Sequence, residues 1–437
     1  MKKLFLFAVA SLLVTSCQND DSSTDSSFKM KAAGADYSTA CALPVTVVSG
    51  DITTNTTWTN DRVWAISGVV RVKSGAKLTI QAGTFIKAVP LAAGVATGVL
   101  VITKTGQIDA QGTATSPVVF TSYNLLDCNA GTTAAPGDFG GVVLLGDAQT
   151  NTGVTTNVIE GLGDQPNVSD FYYGGTNNSH DAGDLNYVRI EYAGRILDAV
   201  TGVEINGLTF GGVGAGTVVD HIQVSYGRDD SYEWFGGTVN ASHLISLAPD
   251  DDNFDFDFGY TGTVTKAIAI ADKNSTHSLS GGAPDSNGIE LDNNAAGSLT
   301  TLITRPVIRE MSIVGFQCPD QSVLENGIHV RRRGQIDLQD VTVTGYPIGL
   351  NFDGTASAPS NSTWSALSIH GGTDDVLPAG TLLGGFDNEQ TVGCPMPTWG
   401  LTQPFFNVAG FSLSGSTGAF TSESNWASAT WVKFSGF

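Results

Sequence analysis

The feature that most constrains this chain is a short strand that recurs with one in-and-out pattern. Tyr232-Glu-Trp-Phe235, Phe254-Asp-Phe-Asp257, Ile289-Glu-Leu-Asp292, Ile328-His-Val-Arg331 and Ile348-Gly-Leu-Asn351 align residue by residue, at offsets of 22, 35, 39 and 20. Their first and third positions are apolar or aromatic throughout. Side chains alternate between the faces of a strand, so these positions form an inner ladder and the others are expected to point to solvent. A second series, Asp220-His-Ile-Gln-Val-Ser225, Ser242-His-Leu-Ile-Ser-Leu247 and Thr265-Lys-Ala-Ile-Ala-Ile270, succeeds itself at a spacing of 22 to 23 residues. A period in the low twenties with two or three short strands per unit is the pattern of a parallel β-helix, whose like positions stack roughly 4.8 Å apart. Antiparallel meanders and propellers would not return the same turn residues at the same phase. The expected fold is all-β, a right-handed parallel β-helix over residues 45–437, its handedness following from the chirality of parallel crossovers. The final segment, with Trp426 and Trp431, is expected to cap the last coil, whose open edge needs cover.

Composition agrees. Glycine supplies 53 of 437 residues, which suits frequent coil corners, and charged residues make up only 14%. A hydrophobic content of 41% excludes a disordered chain. The formal charge of −21 argues against nucleic acid as a partner, because phosphate binding needs the opposite sign. The glycine-rich run 211–216 is followed by a strand where a phosphate loop requires a helix, so it reads as a turn.

Lys2 and Lys3 precede an apolar run from Leu4 to Val14, then Thr15, Ser16 and Cys17. The run is too short to span a bilayer of roughly 30 Å and has the order of a secretory signal. Val14-Thr15-Ser16-Cys17 resembles the lipobox of bacterial lipoproteins, which implies cleavage after residue 16 and acylation of Cys17. Residues 17–44 are then the lipidated cysteine and a flexible tether, of which Gln18 to Tyr37, rich in Ser, Asp and Asn, cannot bury enough surface to fold. Gln18-Asn-Asp-Asp21 resembles the acidic surface-export signal of Bacteroidota lipoproteins, implying a lipid-anchored protein on the outer face of the outer membrane. Cys41, Cys128, Cys318 and Cys394 remain, an even number that suits disulfides in an exported chain. Of three pairings, proximity favours Cys41 with Cys128 and Cys318 with Cys394.

The non-core positions of the recurring strand carry the candidate chemistry. Glu233, Asp255 and Glu290 fall in one column, Asp257, Asp292 and Arg331 in the next, and the preceding turns add Asp229, Asp230, Asp250, Asp251 and Asp252. Like charges stacked at coil spacing repel by roughly 1 kcal/mol per pair at surface dielectric unless a cation sits among them. Calcium suits such a site because it accepts six to eight hard oxygens with flexible geometry. Asp230 before Ser231-Tyr232, followed by Asp251-Asp252-x-x-Asp255, resembles the calcium site of the β-helical pectate lyases of polysaccharide lyase family nine. That resemblance covers about 26 residues and implies a metal set of Asp230, Asp251, Asp252 and Asp255. In those enzymes a lysine on a later coil abstracts the proton; here Lys266 and Lys273 are the nearest candidates, and Ser231 stands where the family has glycine. Glu233, Asp257, Glu290, Asp292 and Arg331 are the expected ligand-binding residues. A blander reading keeps all the carboxylates as turn formers, since Asp and Asn accept backbone N–H bonds and tolerate left-handed geometry.

The whole chain resembles the β-helical surface lipoproteins of Bacteroidota. The leading expectation is a non-enzymatic lipoprotein presenting a solenoid face to an extracellular glycan or protein, with calcium assisting. The alternatives are a calcium-dependent polysaccharide lyase or hydrolase, and a structural adhesin or accessory subunit of an outer-membrane complex.

Overall fold

The computed structural model describes residues 37–90, 98–194, 205–316, 323–353, 359–370, 374–378, 386–388, 418–423, 426–428 and 430–434. Parallel pairing joins 24 strands into one continuous wound sheet, a right-handed parallel β-helix as the repeat predicts. Each coil contributes to three faces. The first face runs from Thr56–Trp58 through Lys77–Ile80 and Gln107–Gln111 into the leading halves of the long strands Gly183–Glu191, Val218–Ser225, Ala241–Leu247, Thr263–Ile270, Val307–Val314, Asp337–Thr344 and Thr363–His370. Their trailing halves form the second face, continuous with Phe85–Ala88 and Val118–Thr121. The third face carries Val99–Ile102, Gly141–Leu145, Leu208–Gly211, Tyr232–Phe235, Phe254–Asp257, Ile289–Asp292, Asn326–Arg331, Ile348–Phe352 and Asp374–Leu377.

Within each long strand a left-handed residue makes the bend between the first two faces. Tyr187, His221, His243, Lys266, Glu310, Asp340 and Ala366 all lie at φ between 51° and 58°, and the register steps over them: Asp220 pairs with Ser242 and Ile222 with Leu244, leaving His221 and His243 outside the ladder. A left-handed non-glycine residue costs roughly 1–2 kcal/mol. Parallel pairing on both sides holds the bend despite that cost, and the seven side chains stand above one another along the corner.

The core is the expected inner ladder. Tyr232, Trp234, Phe254, Phe256, Ile289, Leu291, Ile328, Val330 and Leu350 are fully buried, and the aromatic members stack between coils, Tyr232 on Phe254 at 5.0 Å and Trp234 on Phe256 at 4.7 Å. The last rung departs from the alignment. Ile328 pairs with Leu350 rather than Ile348, and His329 with Asn351. The offset is therefore 22, like the first, and the two-residue slip preserves which side faces inward.

Two segments outside the repeat reshape the exterior. An excursion containing Asn157–Val158, Val168–Phe171 and Tyr172–Tyr173 lays Ile159, Leu162, Phe171 and Tyr173 over Val99, Val101, Val143, Leu145 and Phe235 on the outer side of the third face. The described residues of the C-terminal segment, Trp426 and Trp431 among them, pack on the flank instead of over the last coil. Gly418 donates to the Asp340 carbonyl, Ser422 binds Glu310, Trp426 packs on His243, Trp431 on His221, Thr430 Oγ1 donates to Ala114, and Lys433 and Gln223 exchange two hydrogen bonds. It is a strap running back along the flank toward the first coils, and its indoles are buried there against the corner residues. At its far end Lys433 Nζ lies 4.8 Å from the Tyr37 ring, whose hydroxyl donates to Glu191, itself in a fully buried pair with Arg189 at 2.9 Å. Cys41 and Cys128 are joined as expected. Cys17, Cys318 and Cys394 lie outside the described residues. No helix among the described residues is long and apolar enough to cross a membrane.

Candidate functional site

The outer columns of the third face are not solvent-facing, which corrects the expectation from alternation alone. Glu233, Asp257, Glu290, Asp292 and His329 are all buried. The repeat predicts which side of the sheet a residue occupies; it does not reveal the excursion and corner loops that cover that side.

The corner before this face is built on an Asp/Asn column. Asp230 Oδ1 accepts the N–H of Asp252 at 2.9 Å, Asp252 Oδ1 accepts that of Asn287, and Asn287 Oδ1 accepts that of Asn326 at 2.9 Å. One oxygen of each carboxylate thus does the turn-forming work of the blander reading. The neighbouring inward column, which also holds Ser231 and Asn253, is tight at its glycines: a Cβ on Gly207, Gly288 or Gly327 would meet Val224, Ile313 or Val343 at 2.4 Å or less. Ser231 fits there because Ser246, rather than a branched side chain, faces it, and the two hydroxyls bond at 2.7 Å. That explains serine where the lyase pattern has glycine.

Beyond turn formation the carboxylates converge. Oxygens of Asp229, Asp230 and Asp251 lie within 4.8 Å of one another, as do those of Asp230, Glu233 and Asp255. The two sets share Asp230. Asp252 adjoins them and repels Asp251, Glu290 and Asp230. Burial, then repulsion from Asp229, Asp251 and Asp255, raises the Asp230 pKa well above the carboxylate range. Burial followed by Asp255 does the same to Glu233. Asp251 is pushed to about 8, first by burial and then by Asp229, and Asp255 to about 7, by burial and then Asp292. Asp255 Oδ1 is buried with no hydrogen-bond partner. An orphaned buried carboxylate oxygen beside two hard-oxygen triads is the donor chemistry that calcium takes.

A guanidinium closes the other end. Arg331 grips Asp292 through two bonds, at 2.9 and 3.1 Å, and also binds Glu290; Arg332 adds a contact to Asp292. Burial opposes the Arg331 charge, but Asp292 and Glu290 outweigh it and hold its pKa above normal. Asp257, where burial and then Asp255 raise the pKa, lies beside the aromatic cover, its N-terminal neighbour on the ladder being Phe235. Asn206 donates to Glu233 and Ser278 to Asp251, tying the site to both flanking corners.

Of the two expected bases, Lys266 does not join this array. Lys266 stands at the corner of the first two faces and pairs with Glu423 of the strap at 3.0 Å. Lys273 bears on Asp272, in the turn that follows Ile270. The residues that sequence reasoning missed are Asn206, Asn287 and Ser278, and two of them carried a signal: Asn206 and Asn287 sit two residues before an inner-ladder position, in phase with Asp230 and Asp252.

The sequence model of the family described as pectate-lyase-like beta helix domain matches residues 50–375. Neither the curated proteins nor the solved structures gave a match.

Proposed function

The chain belongs to the pectate-lyase-like β-helix family, and on that premise we propose that it binds an acidic extracellular polysaccharide through calcium held in the carboxylate array. The observation that carries this reading is the pair of carboxylate triads sharing Asp230, one of which includes Asp255 with its partnerless Oδ1. Asp229, Asp230, Asp251, Asp255 and Glu233 would hold the ion, with Asp252 supporting it from the adjacent coil. Bound there, calcium supplies charge neutralisation and a coordination site for a sugar carboxylate. Arg331, anchored by Asp292 and Glu290 through Nε and Nη2, would offer its Nη1 side to a second carboxylate along the same chain.

Binding is favoured over lyase chemistry by the placement of Lys266. Proton abstraction next to a uronate needs a base within hydrogen-bond reach of that carbon. Lys266 is committed to the strap, and the basic groups that contact the array, Arg331 and Arg332, are both paired with Asp292. The anchoring reading belongs to the same proposal: acylated Cys17 would tether the solenoid to the outer-membrane surface, where extracellular glycan is met, and loss of lipid labelling in Cys17→Ala checks it.

The test is retention of the protein on immobilised acidic and neutral polysaccharides, in calcium and in chelator, with absorbance at 235 nm read for unsaturated product. Calcium-dependent retention on polyuronates without product is the expected result. Product formation would replace binding by lyase action, and retention indifferent to calcium would remove the metal from the reading.

A further inference from the structure

A separate constellation lies at the corner between the first and second faces, on the opposite flank from the carboxylate array in chain topology. Because His221 and His243 occupy successive positions of the left-handed corner column, their side chains are forced into register. The rings stack with centroids 4.2 Å apart and 13° between planes. Both Nδ1 atoms address one carboxylate: His221 Nδ1 is 2.7 Å from Asp220 Oδ2, and His243 Nδ1 is 2.7 Å from Asp220 Oδ1. Ser242 Oγ donates to the same carboxylate at 2.5 Å. Tyr187 stacks on the outer side of His221 at 4.3 Å, and Trp431 and Trp426 of the strap close edge-on over the two imidazoles at 5.4 and 5.3 Å. The cluster so formed is semi-buried and flanked by aromatic rings. Its donor set is two imidazole nitrogens and one carboxylate, within 4.8 Å of one another.

We propose that Asp220, His221 and His243 bind a divalent transition metal, with Zn2+ as the representative ion, and that this site clasps the C-terminal strap to the solenoid. The ligand types select the ion: imidazole suits zinc and its neighbours, whereas calcium takes oxygen donors alone. Three protein donors leave a fourth position for water. The link to the strap follows from where the imidazole protons go. A carboxylate only accepts, so in the metal-free state both Nδ1 atoms carry the proton. A metal on Nδ1 requires that proton on Nε2. His243 Nε2 lies 3.4 Å from Glu423 Oε2, and Glu423, on the strap, also receives Lys266 at 3.0 Å. Metal binding therefore turns His243 Nε2 into a donor aimed at Glu423, the ring-to-carboxylate arrangement by which ligating histidines are oriented. The ligands come from two adjacent coils, and His243 Nε2 ties them to a segment some 180 residues later in the chain.

The experiment is calorimetric titration of Zn2+ into the chelator-stripped full chain, with calcium saturating, for the wild type and for His221→Gln, His243→Gln, Glu423→Gln and Asp251→Asn. Expected are one tight site in the wild type, affinity lower by more than about 100-fold in either histidine variant, about 10-fold lower in E423Q, and unchanged in D251N. Limited proteolysis between residues 418 and 434 should slow when zinc is added to the wild type and not in E423Q. Equal zinc affinity in wild type and both histidine variants overturns the site, and zinc binding that leaves strap proteolysis unchanged overturns the clasp. If a histidine variant fails to fold, the Co2+-loaded wild type decides. Intense visible bands with two paramagnetically shifted imidazole resonances support the site, and the weak spectrum of an all-oxygen octahedral ion refutes it.

Discussion

Two stretches of the third face share the same backbone and the same outward positions, yet they meet opposite chemical problems. On the early coils those positions are Val99, Val101, Val143 and Leu145, covered by Ile159, Leu162, Phe171 and Tyr173. On the middle coils they are Glu233, Asp255, Asp257, Glu290 and Asp292, which are also largely covered. Covering the first stretch removes apolar area from water and stabilises the fold directly. Covering the second strips hydration from charges, which destabilises it unless protons or cations replace the lost water. Burial in the same place is thus stability on one set of coils and stored affinity on the next.

The sharpest way to break this contrast is Phe171→Ala. Phe171 is fully buried in the aromatic cover, and its removal should cost about 3–5 kcal/mol. Unfolding midpoints should fall equally in calcium and in chelator, since that stretch needs no ion. Calcium itself should act only on the second stretch: at a hundredfold excess over Kd it should add about 2.7 kcal/mol. Asp230→Asn should abolish that gain while making the stripped protein more stable than wild type, because it deletes a repelled, buried carboxyl that both triads share. Differential scanning of the two proteins with and without calcium checks both signs.

The pH response of the stripped protein tests the same point. Unfolded Asp titrates near 3.9, whereas Asp255 and Asp251 in the fold titrate at about 7 and about 8. Between these limits the native state holds protons that the unfolded state has lost, so stability must decline as pH rises from about 4 to about 8. Calcium should flatten that decline, and a stripped protein that gains stability over this window would contradict the raised values. The smallest expected effect is Arg331→Lys, which keeps the charge and loses the planar two-point grip. Retention on polyuronate should weaken roughly 5–10-fold with the calcium increment intact.

How much of this was legible in the sequence depends on what the repeat encodes. Tyr232, Trp234, Phe254, Phe256 and their successors set the coil because each must find an apolar neighbour above and below. The slip at Leu350 is invisible in the sequence because Ile348, Leu350 and Phe352 alternate, and alternation cannot distinguish registers two residues apart. The carboxylate array could be located because Asp230 and Asp252 recur in phase, but its burial could not, since alternation assigns a residue to one side of the sheet and does not say what lies over that side. Trp426 and Trp431 misled for a related reason. Two tryptophans after the last repeat satisfy an exposed solenoid edge as well as they satisfy a flank, and only the partners at His221 and His243 tell the two apart.

The strap also alters what kind of object the solenoid is. An open stack of coils passes force and unfolding only from each coil to the next, so its ends can fray independently. Here the segment that binds Asp340 and Glu310 at one end reaches Ala114 and Gln223 at the other, bracing distant coils like a splint. In chain order the strap follows every described coil, so the winding can be completed before it is locked, and a break in those few residues would loosen both ends at once.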